Sequence, residues 1–221
     1  HAAMYALDIG PGDEVIVPAI TFAATANCVL YRGGTPVFAD VDADTALLDP
    51  ESAKEQITPN TKAIITVDYG GQPCDYRSLR RLTENHGLSL VSDACHALGA
   101  QWDGKPVGSL ADLSAFSFHP VKHITSGEGG AIVTNSKKQH EKLKLIRSHG
   151  RKTTGNYFSS VQTPKYIELG YNWRMSTIIS ALALSQLNKV EKLIKLRRAN
   201  AEQYNKKLKK LKEIKTHSEP E

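Results

Sequence analysis

Short apolar runs recur along the first part of the chain, at Val15-Ile16-Val17, Pro36-Val37-Phe38, Ala63-Ile64-Ile65-Thr66-Val67, Leu88-Ser89-Leu90-Val91, Leu113-Ser114-Ala115-Phe116 and Ala131-Ile132-Val133-Thr134. Their length and β-branched content suit buried strands. Helix-like segments lie between them, at Thr21 to Tyr31, Pro50 to Ile57 and Asp75 to His86. Thr21 and Asp75 read as N-caps and Gly87 as a stop. Strand and helix alternating at this pitch predict βαβ units, hence an α/β fold around a largely parallel sheet. After the last strand Ser136 caps a helix running to about His149. Residues 150–172 are rich in Gly, Ser, Thr and Asn with little periodicity, a stretch read as functional or mobile and able to reach a partner subunit. From Ser176 one long helical pattern continues to about Lys215, and the chain holds no internal repeat.

Composition narrows the class. The 221 residues are 40% hydrophobic and 23% charged, ordinary values for a globular protein and enough for one large α/β domain. No apolar run approaches the roughly 20 residues that span a bilayer. Cys28, Cys74 and Cys95 are scattered and lack CxxC spacing, which predicts reduced thiols and a cytoplasmic protein. The net charge of +5 gathers between Lys189 and Lys215, where Leu208, Leu211 and Ile214 keep a helical apolar spacing. Those lysines form a solvated helix face, and without interleaved aromatics they make no platform for nucleic acid bases. Residue 1 falls in a helix-like segment, His1 to Leu7, with no N-cap, and the chain stops just past a helix. It therefore reads as a fragment.

Two residues carry the chemistry. Lys122 follows the strand that ends at Ser117 and precedes Gly127-Glu128-Gly129-Gly130. A lysine where a buried strand opens into a glycine-rich turn is partly desolvated, which disfavours the ammonium and frees an amine to condense with an aldehyde. The serine upstream and the glycines downstream offer donors to a phosphate. Aldehyde and phosphate together point to pyridoxal 5'-phosphate. Asp93 ends another strand, 29 residues before Lys122 (122 − 93), at the edge of an open sheet where ligands bind. A carboxylate there holds a pyridine nitrogen protonated. A metal site finds no support, because Pro120 separates His119 from His123 and Cys95-His96 has no partner pair at ligand spacing.

Several ordered motifs carry a resemblance. They are Gly12-Asp13-Glu14-Val15-Ile16-Val17-Pro18 with Thr21-Phe22, Asp93 to Ala100, Gly104 to Ser109, Ser117 to Lys122, Gly127 to Gly130, and Gly170-Tyr171-Asn172-Trp173-Arg174-Met175. Over residues 1 to about 200 the chain resembles the DegT/DnrJ/EryC1/StrS sugar aminotransferases, most of all the branch that makes the amino sugar precursor of pseudaminic acid. The resemblance implies the type I fold of pyridoxal-phosphate-dependent transferases, aspartate aminotransferase-like, with a mostly parallel sheet of the seven-stranded type. It places a cofactor-binding large domain at residues 1–175 and a helix at 176–221 leading toward a small C-terminal domain. That small domain and the family's phosphate loop before His1 lie outside the sequence. Lys122 matches the lysine that forms the Schiff base, and Asp93 the partner of the ring nitrogen. Phe22 matches the residue stacked on the ring, or is a core Phe; Ser117 matches a phosphate-binding serine. His96 matches a Gln/His position near the phenolate, and Asn172 a phosphate ligand lent by a neighbouring subunit. His119 and Arg174 face substrate or support the site.

The resemblance implies transfer of an amino group from an amino acid, L-glutamate by analogy, to C4 of a nucleotide-linked 4-keto-6-deoxy sugar, a UDP-linked HexNAc. Lys122 serves as general base and acid on one nitrogen. Relatives that dehydrate sugars carry His in place of the lysine, so Lys122 speaks against that reading. A sibling acting on a GDP- or dTDP-linked sugar, or a non-catalytic sugar-nucleotide-binding or oligomerising domain, stays open. The long helix and Asn172 imply a homodimer with sites shared between subunits.

Overall fold

The central apolar runs, through Ile16, Ile64 and Leu90, become strands because both their faces are covered. In the computed structural model, which describes residues 1–152 and 165–216, the chain opens with α1 (Ala2–Ala6), β1 (Glu14–Pro18), α2 (Ala23–Leu30) and β2 (Thr35–Ala39). It continues through α3 (Pro50–Glu55), β3 (Thr61–Val67), α4 (Tyr76–His86) and β4 (Ser89–Asp93). A hairpin of β5 (Gln101–Trp102) and β6 (Lys105–Pro106) precedes β7 (Leu113–Ser117), β8 (Gly130–Val133) and α5 (Lys137–Arg147). A two-stranded ladder of β9 (Arg151–Lys152) and β10 (Lys165–Tyr166) is followed by α6 (Thr177–Leu187) and α7 (Val190–Leu208).

The main sheet has six strands among the described residues, in the order β2-β1-β3-β4-β7-β8. That is one fewer than the seven-stranded type expected, and every predicted apolar run is used. Five strands are parallel, and only β8 runs antiparallel to its neighbour β7. Alternate residues of one strand feed opposite layers. Ile16, Ile64 and Leu90 join Tyr76, Leu79 and Leu82 of α4 on one face. Val15, Val17, Ala63, Ile65 and Val91 join Met4 of α1 and Val29 of α2 on the other. This double burial is why the runs are continuous instead of alternating.

The caps divide. Asp75 accepts from Arg77 N and Ser78 N, and Gly87 ends α4 with φ +65°. Ser136 and Ser176 cap α5 and α6 through Gln139 N and Ile179 N. Thr21 is not a cap. The N-cap of α2 is Phe22, with no side-chain bond, and the Thr21 hydroxyl donates instead to Thr25 Oγ1 at 2.7 Å. Asp49, unread in the sequence, caps α3 through Glu51 N. The long C-terminal helix is two helices. Asn188 closes α6 and Lys189, at φ −108° and ψ 0°, precedes α7. Lys189 N reaches back to Gln186 O, a three-residue turn in place of the helical four. Asn favours such breaks because its side chain competes for backbone groups. Of the irregular stretch 150–172, residues 153–164 lie outside the described residues; its flanks pair as β9 and β10 instead of staying irregular.

Candidate active site

The carboxyl ends of four neighbouring strands meet at one edge of the sheet. β1 leads to Phe22 and Thr25, β3 to Asp68 and the Tyr69–Gly71 turn, β4 to Asp93 through His96, and β7 to Ser117 through Lys122. β1 lies between β2 and β3, so the strand order reverses beside it. Ligands of open α/β sheets bind at such switch points.

Asp93 is the best-defined member. Its Oδ2 accepts from the Thr25 hydroxyl at 2.7 Å, and its Oδ1 accepts from Cys95 N at 3.2 Å. Thr21 donates to Thr25 in turn. The chain Thr21 to Thr25 to Asp93 therefore aims a carboxylate from the first turn of a helix, where the dipole favours a negative charge. A carboxylate has about four lone-pair sites, so two remain for a ring N–H. Thr25 itself is buried.

Lys122 stands half-buried at the end of a turn whose Lys122 N bonds to His119 O at 3.0 Å. Arg197 of α7 donates to the Lys122 carbonyl at 3.0 Å. His96 lies within the electrostatic reach of both Lys122 and Asp93. Burial first, then the Lys122 charge, lowers its pKa against a smaller opposing effect of Asp93. His123 is lowered by burial and then by Arg197, His96 and Lys122, and its Nδ1 is buried without a hydrogen-bond partner. Two imidazoles disfavoured as cations, beside basic Lys122 and Arg197, make a sheet edge suited to an anionic ligand. Burial, then Asp93, pushes the Cys95 thiol well up, which rules it out as a thiolate nucleophile at neutral pH.

The other expected residues fall as follows. Phe22 is 78% exposed at the N-cap of α2 and joins no core cluster among the described residues. Ser117 Oγ accepts from His119 N at 3.3 Å, which leaves the hydroxyl hydrogen to donate. The glycine turn is less open than expected. Gly127 N is taken by Thr125 Oγ1 at 2.9 Å, and Ser126 Oγ by Glu128 O. Gly130 is needed for packing, since a Cβ there would meet Phe116 O at 2.6 Å. His119 faces Glu128 Oε1 at 3.8 Å, and Arg174 donates to Ser148 Oγ at 3.0 Å. Asn172 is not joined to the Asp93 group. It bridges Ser148, and its neighbours Tyr171 and Trp173 bond to Ile146 and Arg147 at the end of α5.

Sequence reasoning missed Thr25 and Asp68. Asp68 is fully buried and accepts from Cys74 N at 3.1 Å, the Tyr76 hydroxyl at 2.8 Å and the Ser92 hydroxyl at 2.9 Å. Its backbone N bonds to Asp93 O at 3.1 Å. Desolvation, outweighing these bonds, pushes its carboxyl up to about 6. An ionisable residue directly after the run Ala63–Val67 was the available signal, the same one that singled out Asp93. Among the described residues no group of three His, Cys, Asp or Glu side chains is placed to hold a metal ion, and no helix is long and apolar enough to cross a membrane.

The sheet that carries this carboxylate, lysine and switch-point edge is that of the pyridoxal-phosphate-dependent aminotransferase fold, as the family match and the similar structures show. The chain belongs to the DegT/DnrJ/EryC1/StrS aminotransferase family, whose model matches residues 1–221. It is similar to Helicobacter pylori PseC, an aminotransferase involved in the biosynthesis of pseudoaminic acid, at 39% identity and TM-score 0.85, over 94% of this chain and 57% of that one. A putative sugar aminotransferase from Streptococcus pneumoniae, Spr1654 in its PLP form, is 31% identical with TM-score 0.84, over 94% and 58% of the two chains. DesI, solved in the presence of its TDP-sugar product, is 37% identical with TM-score 0.74, over 86% and 46%. The chain thus spans about half the length of these proteins, 46–58%. The cofactor of this fold is pyridoxal phosphate, and the spare acceptor capacity of Asp93, the cationic edge around Lys122 and the unpartnered His123 Nδ1 fit it.

Proposed function

We propose that this chain is the cofactor-binding part of an aminotransferase that moves an amino group from an amino acid, L-glutamate, to C4 of a nucleotide-linked 4-keto-6-deoxy sugar. We assign the sugar as a UDP-linked HexNAc and the role as amino sugar synthesis for pseudaminic acid or a related surface glycan. What supports the reading is that Asp93 and Lys122 follow neighbouring strands at the carboxyl edge of the sheet, both within electrostatic reach of His96. When bound, pyridoxal phosphate supplies an aldehyde and a protonatable ring that together act as an electron sink.

The residues of the chain divide the remaining work. Lys122 takes a proton from the donor's α-carbon and returns it elsewhere, base and acid on one side-chain nitrogen, while a turn and Arg197 hold the residue's backbone. Asp93, aimed by Thr25 and Cys95 N, keeps a positive charge on the ring nitrogen. Phe22 offers a flat apolar face to the ring, Ser117 donates to phosphate, and His96 stands by as a neutral imidazole. Asn172 completes the phosphate site of a second subunit in a homodimer, consistent with its place away from the Asp93 group. α6 leaves Ile178, Leu182, Leu184 and Leu187 exposed, apolar surface suited to that partner. Residues 1–175 are the cofactor domain, and the helices beyond lead toward a small domain. Three cysteines without a disulfide accord with a cytoplasmic protein.

The test is amine formation. Purified protein with pyridoxal phosphate, L-glutamate and a UDP-linked 4-keto-6-deoxy-HexNAc should yield the amino sugar and 2-oxoglutarate, and Lys122→Ala should yield neither. A Lys122→Ala protein that still turns over would end the reading. The second reading is a sibling acting on a TDP-linked sugar, favoured by the 37% identity to DesI. It wins if only the TDP-linked ketone is aminated.

A further inference from the structure

The Tyr69–Gly71 turn after β3 touches the site through one ring. Gly70 N donates to His96 Nδ1 at 3.3 Å. Gly71 N closes the turn on Asp68 O at 3.1 Å, and Gln72 N on Tyr69 O at 3.1 Å. Both glycines have positive φ, +64° and +94°, and a Cβ on Gly71 would lie 2.8 Å from His96 O. The turn and the His96 backbone are therefore packed so tightly that only glycine fits at 71. Asp68 anchors the turn from beneath, its carboxylate tied to Cys74 N, Tyr76 and Ser92.

A backbone N–H has only a proton to offer, so the nitrogen it meets must carry a lone pair. We infer that the Tyr69–Gly71 turn is a positioning element that holds His96 as the neutral ring with its proton on Nε2. His96 then presents a donor, and not an acceptor or a fixed cation, at its other nitrogen. Lys122 and Asp93 both act electrostatically on the ring, with Tyr69 packed edge-on at 5.8 Å and His123 nearby. Protonating Nδ1 would set it against both the Gly70 N–H and the Lys122 charge. In the proposed function, on which the use of this donor rests, Nε2–H supports an anionic oxygen of the bound cofactor.

The experiment is nitrogen-15 NMR of the purified protein without pyridoxal phosphate. A scalar coupling across the hydrogen bond between the Gly70 amide and His96 Nδ1, with the proton on Nε2 near neutral pH, is the expected result. Gly71→Ala should abolish the coupling and shift His96 titration toward higher pH, with the Nε2 tautomer losing roughly fivefold of its preference, the worth of one net hydrogen bond. No coupling in the wild type, or a proton on Nδ1, overturns the inference, and the wild-type measurement decides if the variant does not fold. Coupling in a protein that never takes up pyridoxal phosphate would sink the proposed function and leave the turn standing. Cofactor uptake without coupling would do the reverse.

Discussion

Replacing Thr25 with valine removes one hydroxyl at nearly constant volume, from a buried position whose Oγ1 lies 2.7 Å from Asp93 Oδ2. A hydrogen bond to a charged acceptor contributes about 1.5–3 kcal/mol. Asp93 is only half-buried, so solvent replaces part of that and about 1.5–2 kcal/mol is the sensible range. In the variant the carboxylate keeps only Cys95 N and must be reordered when a ring nitrogen approaches. The cost of reordering cannot exceed the value of the lost bond, which caps the loss of pyridoxal phosphate affinity at roughly 30-fold. We expect about tenfold, with Thr25→Ser restoring most of it because the hydroxyl returns. The assay is an absorbance titration of cofactor-free protein, with thermal melting beside it to show an intact fold. Thr25→Val that binds as tightly as wild type would refute the claim that this hydroxyl aims the carboxylate.

Asp68 predicts a pH dependence. Its folded pKa, about 6, stands above the ordinary carboxyl value because burial disfavours the charge. A raised folded pKa means stability that is present below the unfolded value and lost as pH climbs through the folded one. Urea unfolding should show Asp68→Asn gaining on wild type by about 2 kcal/mol between pH 4 and pH 7, and a flat difference would contradict this. Leu79→Ala, at a fully buried position of α4, should cost about 2–5 kcal/mol of unfolding free energy while the folded fraction still binds cofactor. Arg80→Leu removes bonds to Asp112 and Leu110 O, both at 2.8 Å, and should cost about 1 kcal/mol, less at high salt for the exposed part.

The strands were legible because a parallel sheet covered on both faces needs continuous aliphatic runs, which few other structures tolerate. Asp75, Ser136 and Gly87 were legible because capping is local chemistry written within three residues. Asp93 and Lys122 stood out for sitting where strands end. Thr25 did not, because its partner lies 68 residues away and a single hydroxyl leaves no periodic trace. Thr21 looked like a cap for the same reason, since a threonine before a helix reads alike whether it turns to the backbone or to Thr25. The glycine loop was legible as a turn, but not that it spends Gly127 N on Thr125. The break at Asn188 was hidden because the apolar spacing continues across it. Asp68 followed the same rule as Asp93 and was passed over.

The central claim is settled on one nitrogen atom. The purified protein is incubated with pyridoxal phosphate, reduced with borohydride, digested and read by peptide mass spectrometry. The account predicts a pyridoxyl group on Lys122 Nζ, absent from Lys122→Ala. A label on any other lysine, or none at all in folded protein, would contradict it.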